Sequence, residues 1–247
     1  MVFITGDTHG NFRRFTPDNF PEQKNLTKDD YVIICGDFGL WHDTPEEGYW
    51  FDWLHGKPFT TLFVDGNHEN YDRLNAFPVT EWHGGQVHFV RPSIIHLMRG
   101  QVFEIDGSRF FTMGGAASHD IDAGILEYDD PQFDIKRRAL DKQMALYRVN
   151  HISWWKEEMP SDIEYARAVK TLEANNWQVD YIITHCCPSS ISDILGAGHY
   201  QPDRLTNFLE TVKQRVEFKE WFFGHYHDDR PIGQQFCCLY KAIIELD

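Results

Sequence analysis

Five short segments of the 247-residue chain end an apolar run in residues that can ligate a metal. They are Gly6-Asp7-Thr8-His9-Gly10, Gly36-Asp37, Gly66-Asn67-His68-Glu69, Thr184-His185 and Gly224-His225-Tyr226-His227. Open α/β sheets place ligands beyond the C-terminal ends of their strands, so five such ends can converge on one crevice. In Asp7-x-His9 and His225-x-His227 the two-residue period of extended backbone turns both side chains to one side, and each pair can grip one site. The donors are carboxylates, a carboxamide and imidazoles. That mixture suits a first-row transition ion, Mn²⁺ first with Fe, Zn, Co or Ni as alternatives, better than Ca²⁺, Mg²⁺ or an iron–sulfur cluster. The candidates Asp7, His9, Asp37, Asn67, His185, His225 and His227 exceed what one ion can use, so two divalent ions sharing a bridging carboxylate are expected. Two metals about 3.5–4 Å apart clamp the attacking and leaving oxygens of an in-line displacement.

The elements that must position these residues have their own signals. Apolar runs at Val2–Thr5, Tyr31–Cys35, Thr60–Val64, Tyr181–Thr184 and Trp221–Phe223 precede the five segments, and continuous runs suit strands covered on both faces. Thr44 predicts an N-cap, with Pro45 at the first helical position, Glu47 closing a capping box, Gly56 beyond the end, and Trp50, Trp53 and Leu54 as the buried face. A second helix is expected from the Ser161-x-x-Glu164 box to about Asn175, turning Ile163, Ala166, Val169 and Leu172 inward. A third follows Pro202 and buries Leu205, Phe208, Leu209, Val212 and Val216. From about Gln86 to Met113, alternating runs with turns at Arg91-Pro92 and Asp106-Gly107 predict a meander of antiparallel strands. Residues 118–160 are charged and aromatic without a strand signal, and are expected to form a helical insertion within a single domain over residues 1–247.

Composition bounds the rest. Hydrophobic residues at 42% and charged residues at 25% allow a sizeable core. A net charge of −15 argues against extended nucleic acid and membrane surfaces as partners. The longest apolar runs fall short of the roughly 18 residues a membrane span needs, and with Val2-Phe3-Ile4 and a Gly-Asp turn directly after Met1 no leader segment is expected. Four of the five cysteines lie as adjacent pairs, Cys186-Cys187 and Cys237-Cys238, where a bridge between neighbours would be strained; reduced thiols and a cytoplasmic location are expected.

The ordered set Asp7-x-His9, Gly36-Asp37, Gly66-Asn67-His68-Glu69, His185 and Gly224-His225-x-His227 resembles the five-block signature of the calcineurin-like metallophosphoesterases. The resemblance implies an α/β (α+β) fold: two facing mixed β-sheets flanked by helices, a four-layer αββα sandwich. It implies one metal held by Asp7, His9, Asp37 and His227 and a second by Asp37, Asn67, His185 and His225, with Asp37 bridging. It further implies that His68 contacts the phosphate and protonates the leaving group, while a bridging water or hydroxide attacks phosphorus. The expected function is hydrolysis of phosphate monoesters or small phosphodiesters, as a phosphatase or phosphodiesterase. Alternatives are a nuclease or nucleotide phosphodiesterase, and a non-catalytic metal-binding scaffold for a protein partner. With two ions bound, the site would carry about +2 within an acidic body, which favours a compact anion.

One departure stands out. Protein phosphatases of this family continue the second block as Gly-Asp-x-Val-Asp-Arg-Gly, whereas here Gly36-Asp37-Phe38-Gly39-Leu40-Trp41 puts Leu40 where a carboxylate would pair with the catalytic histidine. Asp72 or a backbone carbonyl is left to orient His68. His119, after the turn Gly114–Ser118, is a further candidate to edge the site and bind substrate. Arg99, Arg137, Arg138 and Arg148 are candidates to neutralise a second phosphate, and Trp154-Trp155 with Tyr147 are expected to pack their segment rather than stack on a base.

Overall fold

A computed structural model describes residues 1–246. Every residue of β1 (Val2–Thr5), β2 (Tyr31–Ile34) and β3 (Thr60–Phe63) is buried, and the three run parallel side by side. Between β2 and β3 lies α1 (Pro45–His55), and a single helical turn, α2 (Tyr71–Leu74), follows β3. The chain continues through β4 (Val79–Trp82), β5 (Gly85–Arg91), β6 (Ile94–Leu97), β7 (Gln101–Ile105) and β8 (Ser108–Met113). Next come β9 (Ile125–Leu126), α3 (Phe133–Gln143) and β10 (Arg148–Val149), then α4 (Asp162–Ala174), β11 (Tyr181–Thr184), α5 (Ser189–Gly196) and α6 (Arg204–Arg215). The last strands are β12 (Glu220–Phe223), β13 (Arg230–Ile232), β14 (Phe236–Cys238) and β15 (Ile243–Glu245).

These strands build two mixed sheets, ordered β15-β1-β2-β3-β6-β5-β4 and β13-β14-β12-β11-β8-β7. Strand alternation divides their side chains between layers. Ile4, Ile33, Leu62, Ile95, Phe103, Phe110 and Ile183 share one core between the sheets. Their neighbours in sequence point the other way: Phe3, Val32 and Phe63 pack with Phe51 and Leu54 of α1, while Phe111, Ile182 and Trp221 pack with α4 and α6. The result is the helix–sheet–sheet–helix sandwich that the family resemblance implies.

Three local expectations are corrected. The run from Gln86 to Met113 is not one meander, because the chain leaves the first sheet after β6 and enters the second at β7, and β6 and β8 pair parallel with β3 and β11. In α1 the buried pair is Phe51 and Leu54, with Trp50 and Trp53 half-buried at its flanks. Thr44 caps it, but the Glu47 carboxylate turns away to accept the backbone N–H groups of Trp41, His42 and Asp43. In α4 the capping box at Ser161 forms, yet the inward face is Tyr165, Ala168 and Leu172, and Ile163 is exposed.

The crossover between the sheets is held by charge. Arg99, buried at the β6–β7 turn, binds the buried Asp65 carboxylate through Nε at 2.7 Å and through Nη2, and Asp65 also accepts from His96 at 3.0 Å and Tyr71 at 2.8 Å. The same Nη2 also reaches the carbonyls of Glu157 and Glu158, and Nη1 lies 3.7 Å from Glu164 Oε2. A guanidinium so saturated is not available to a substrate phosphate. Removing one partner of a buried pair leaves the other charge uncompensated, at a cost of about 3–5 kcal/mol. Arg99→Met is therefore expected to lower the melting temperature by roughly 6–20 °C in a domain of this size. The double variant Asp65→Asn/Arg99→Met should recover most of that loss, and a single variant melting within a degree of the parent would remove the role.

Residues 118–160 hold α3, which buries no side chain, and the two-residue parallel pair β9–β10. Trp155 is 1% exposed and sits in the core of the first sheet's outer face. No helix among the described residues is long and apolar enough to cross a membrane.

Candidate metal centre

The buried parallel strands deliver their C-terminal residues to one place. Asp7, Asp37 and Asn67 follow β1, β2 and β3 in the first sheet, while His185, His225 and His227 follow β11 and β12 in the second. The centre therefore lies across the seam between the sheets. His227 Nε2 stands 3.1 Å from Asp7 Oδ2 and 3.0 Å from His9 Nε2. His9 Nε2 lies 3.7 Å from Asp37 Oδ2, and His185 Nε2 lies 3.4 Å from Asp37 Oδ1 and 3.2 Å from Asn67 Oδ1. The two Asp37 oxygens thus face different donor groups. His225 Nε2 meets His119 Nε2 at 2.9 Å, which brings His119 to the edge of the cluster.

The residues fit divalent ions on chemical grounds. Asp7 and Asp37 are both buried, and neither has a Lys or Arg within ion-pair distance among the described residues. Buried charge needs compensation, and imidazole nitrogens gathered around two such carboxylates can share a cation. Asp7, His9 and His227 bring their ligand atoms together, as do Asp7, Asp37 and His185. Four of the clustered residues, His9 (φ 46°), Asp37 (φ 46°), His225 (φ 67°) and His227 (φ 50°), adopt left-handed backbone. Such strain in residues with a Cβ costs of order 1–3 kcal/mol each and concentrates at functional sites.

Supporting contacts fix the orientations. The His185 ring places Nδ1 2.8 Å from the Cys35 carbonyl, so that nitrogen carries the proton and Nε2 faces the centre. Gly36 and Gly66 allow close approach: a Cβ at Gly36 would strike the His185 ring at 2.1 Å, and one at Gly66 the Asp37 carboxylate at 2.0 Å. Arg14 donates to the carbonyls of Gly6, Asp7 and Tyr240, tying the Asp7 turn to the segment after β14. Glu69, fully buried, accepts the N–H groups of Phe38 at 2.5 Å, Gly39 at 3.3 Å and Leu40 at 3.0 Å, and so staples the loop that follows Asp37.

Electrostatics follow from burial and the two carboxylates. Burial lowers His9, His68 and His225 from the ordinary imidazole value. Burial also opposes charge on His185, but the Asp37 and Asp7 carboxylates overcome it and hold that ring up to about 10. His227 is raised by its hydrogen bond to Asp7. Desolvation would raise Asp37, yet His185, His68 and His9 hold it well below the usual carboxylate range.

His68 stands beside the cluster, its ring 5.4 Å from that of His9 and 5.8 Å from that of Trp41, and its backbone N–H donates to Asp37 Oδ1 at 2.8 Å. Asp72 does not orient it. That carboxylate is taken by His151 Nδ1 at 2.8 Å and Trp155 Nε1 at 2.7 Å. Arg148 donates to Asp120 through Nε and Nη2, Arg137 pairs with Asp134 on the exposed face of α3, and Tyr147 donates to Asp141. Two residues near the centre carry no signal of a role in sequence, Arg14, whose role depends on carbonyls distant along the chain, and Trp41; Glu69 is legible as the end of a motif.

A two-sheet α/β sandwich with Asp, Asn and His gathered at its strand ends is the arrangement of a metal-dependent hydrolase. The family model described as calcineurin-like phosphoesterase matches residues 1–229, and the chain belongs to that family. Its members are metal-dependent hydrolases of phosphoester bonds, so the substrate is a phosphate ester. No curated protein matches the chain.

Proposed function

We propose that the protein hydrolyses a small phosphate ester at a two-ion centre, one ion held by Asp7, His9, Asp37 and His227 and the other by Asp37, Asn67, His185 and His225. The observation that carries this reading is the placement of Asp37, whose Oδ2 lies toward His9 and whose Oδ1 lies toward His185 and Asn67. When bound, two divalent ions, Mn²⁺ first, lower the pKa of water toward neutrality and offset the charge of the phosphate oxygens. The chain's own residues do the rest. His68, partly exposed at the mouth of the cluster, hydrogen-bonds the phosphate and gives its proton to the leaving oxygen. His119, against His225, borders the substrate. The acidic body disfavours long polyanions, which favours monoesters or small diesters. All five cysteines are free thiols, in keeping with a reducing, cytoplasmic setting.

The test is hydrolysis of a bis-aryl phosphate diester and the matching aryl monoester by metal-stripped protein resupplied with Mn²⁺. Turnover of at least one, abolished by chelator, is the expected result. Diester preference would direct attention to nucleotide substrates and monoester preference to a phosphorylated metabolite. Silence on both with two ions bound would leave the metal-binding scaffold as the better account.

A further inference from the structure

Trp41 occupies the position after Leu40, beyond the loop that Glu69 staples, and its indole is half-buried. A half-exposed tryptophan is usually mobile. This one is held on both backbone faces: Glu47 accepts the N–H groups of Trp41 at 3.0 Å, His42 at 2.7 Å and Asp43 at 3.2 Å, and Asn70 Nδ2 donates to the Trp41 carbonyl at 3.0 Å. Arg73 locks the arrangement by pairing with Glu47 at 2.6 Å and Asp43 at 3.0 Å. Behind the indole stands Trp155, edge-on at 5.6 Å and anchored through its Nε1 to Asp72. Such a shell of support pre-organises a side chain for contact.

The indole looks onto a cavity of about 270 Å³ lined by His9, Gly39, Trp41, His42 and His68. No carboxylate, lysine or arginine lines it, so its walls offer flat rings and a bare glycine backbone rather than charge. His68 belongs to that lining, and this fixes which part of a substrate the cavity receives. A general acid must lie within hydrogen-bond reach of the oxygen it protonates. The group attached to that oxygen then continues past His68, into the space in front of Trp41. The volume, below that of a drug-sized pocket, suits one flat ring system.

We infer that Trp41 is a specificity-determining residue that stacks on a flat aromatic group of the leaving alcohol, an aryl ring or the base of a nucleoside. The inference rests on the phosphoesterase reading and on His68 as the acid. It places the aromatic recognition in the loop after Asp37, whereas Trp155 in the 118–160 segment is the support behind it.

The experiment compares phenyl, thymidine-5′ and glycerol phosphates, each as the monoester and as its methyl diester, with Mn²⁺-loaded wild-type, Trp41→Leu and Trp41→Tyr proteins. Loss of a stacking partner is worth about tenfold or more for an aromatic group. Trp41→Leu should therefore lose about tenfold in kcat/KM on the phenyl or thymidine ester, mainly through KM, and less than twofold on the glycerol ester; Trp41→Tyr should keep most of the aromatic preference. Loss on phenyl alone identifies an aryl group, and loss on thymidine a nucleoside. Equal losses on all three esters, or none on any, would overturn the inference while leaving the phosphoesterase reading intact. A wild-type protein silent on all six esters overturns that reading, and the inference with it. Melting temperatures report folding, and if Trp41→Leu does not fold, an unchanged ester preference in Trp41→Met, which keeps an apolar side chain without a ring, overturns the assignment.

Discussion

Asp37→Ala is expected to lose both ions together, and with them far more than the roughly 10–100-fold that follows loss of a supporting residue around a metal. The reason is geometric. Asp37 Oδ2 lies 3.7 Å from His9 Nε2 and Oδ1 lies 3.4 Å from His185 Nε2, so each oxygen belongs to a different donor group. Oδ1 also accepts the His68 N–H at 2.8 Å, which ties the third strand end to the second. Without the carboxylate, the proposed second position keeps only the neutral donors Asn67, His185 and His225, and the first only one carboxylate, Asp7, to offset an ion's charge. Elemental analysis after dialysis gives the answer directly. A variant that still binds two equivalents would refute the bridge, and one that binds a single equivalent would confine Asp37 to one ion.

His68→Ala is expected to keep both ions and lose about 10²–10⁴ in rate, the usual contribution of a positioned general acid. The loss should depend on the leaving group. An alkoxide leaves poorly without a proton, whereas a nitrophenolate leaves readily, so the defect should shrink as the leaving alcohol becomes more acidic. A defect of equal size across the series would assign His68 to phosphate binding, and unchanged rates would remove it from the mechanism. Leu40, where the protein phosphatases of the family carry a carboxylate, and Asp72, engaged by His151 and Trp155, leave the ring to be held by packing against His9 and Trp41.

The legible parts of this molecule are those whose cause is local. The apolar runs at Val2, Tyr31, Thr60, Tyr181 and Trp221 became buried parallel strands because strands covered on both faces need no alternation. Strand β4 lacked such a run, since Val79–Trp82 lies at a sheet edge and is largely exposed. The division of β5–β8 between sheets depends on the buried Arg99–Asp65 pair and on partners far along the chain, neither of which periodicity encodes. In α4, both the Ile163–Ala166–Val169 and the Tyr165–Ala168–Leu172 stripes have helical spacing, and only the packing surface chooses between them. Glu47 had the spacing of a capping box, but three loop N–H groups competed for its carboxylate. At the candidate centre, residue types at strand ends carried the proposal for the ligands. The surroundings of His68 did not emerge, because His151 and Trp155 approach Asp72 from about eighty residues away.

If His9, Asp37, His225 and His227 hold the metals as proposed, their left-handed backbone sets stability against activity at the same four positions. Glycine there would relieve a conformational penalty of about 1–2 kcal/mol per residue, and would remove a donor each time. Selection for a hardier protein and selection for turnover therefore pull in opposite directions along these turns. A library screened only for heat resistance would drift toward glycine where the metal chemistry needs a side chain, and would return well-folded, inert proteins.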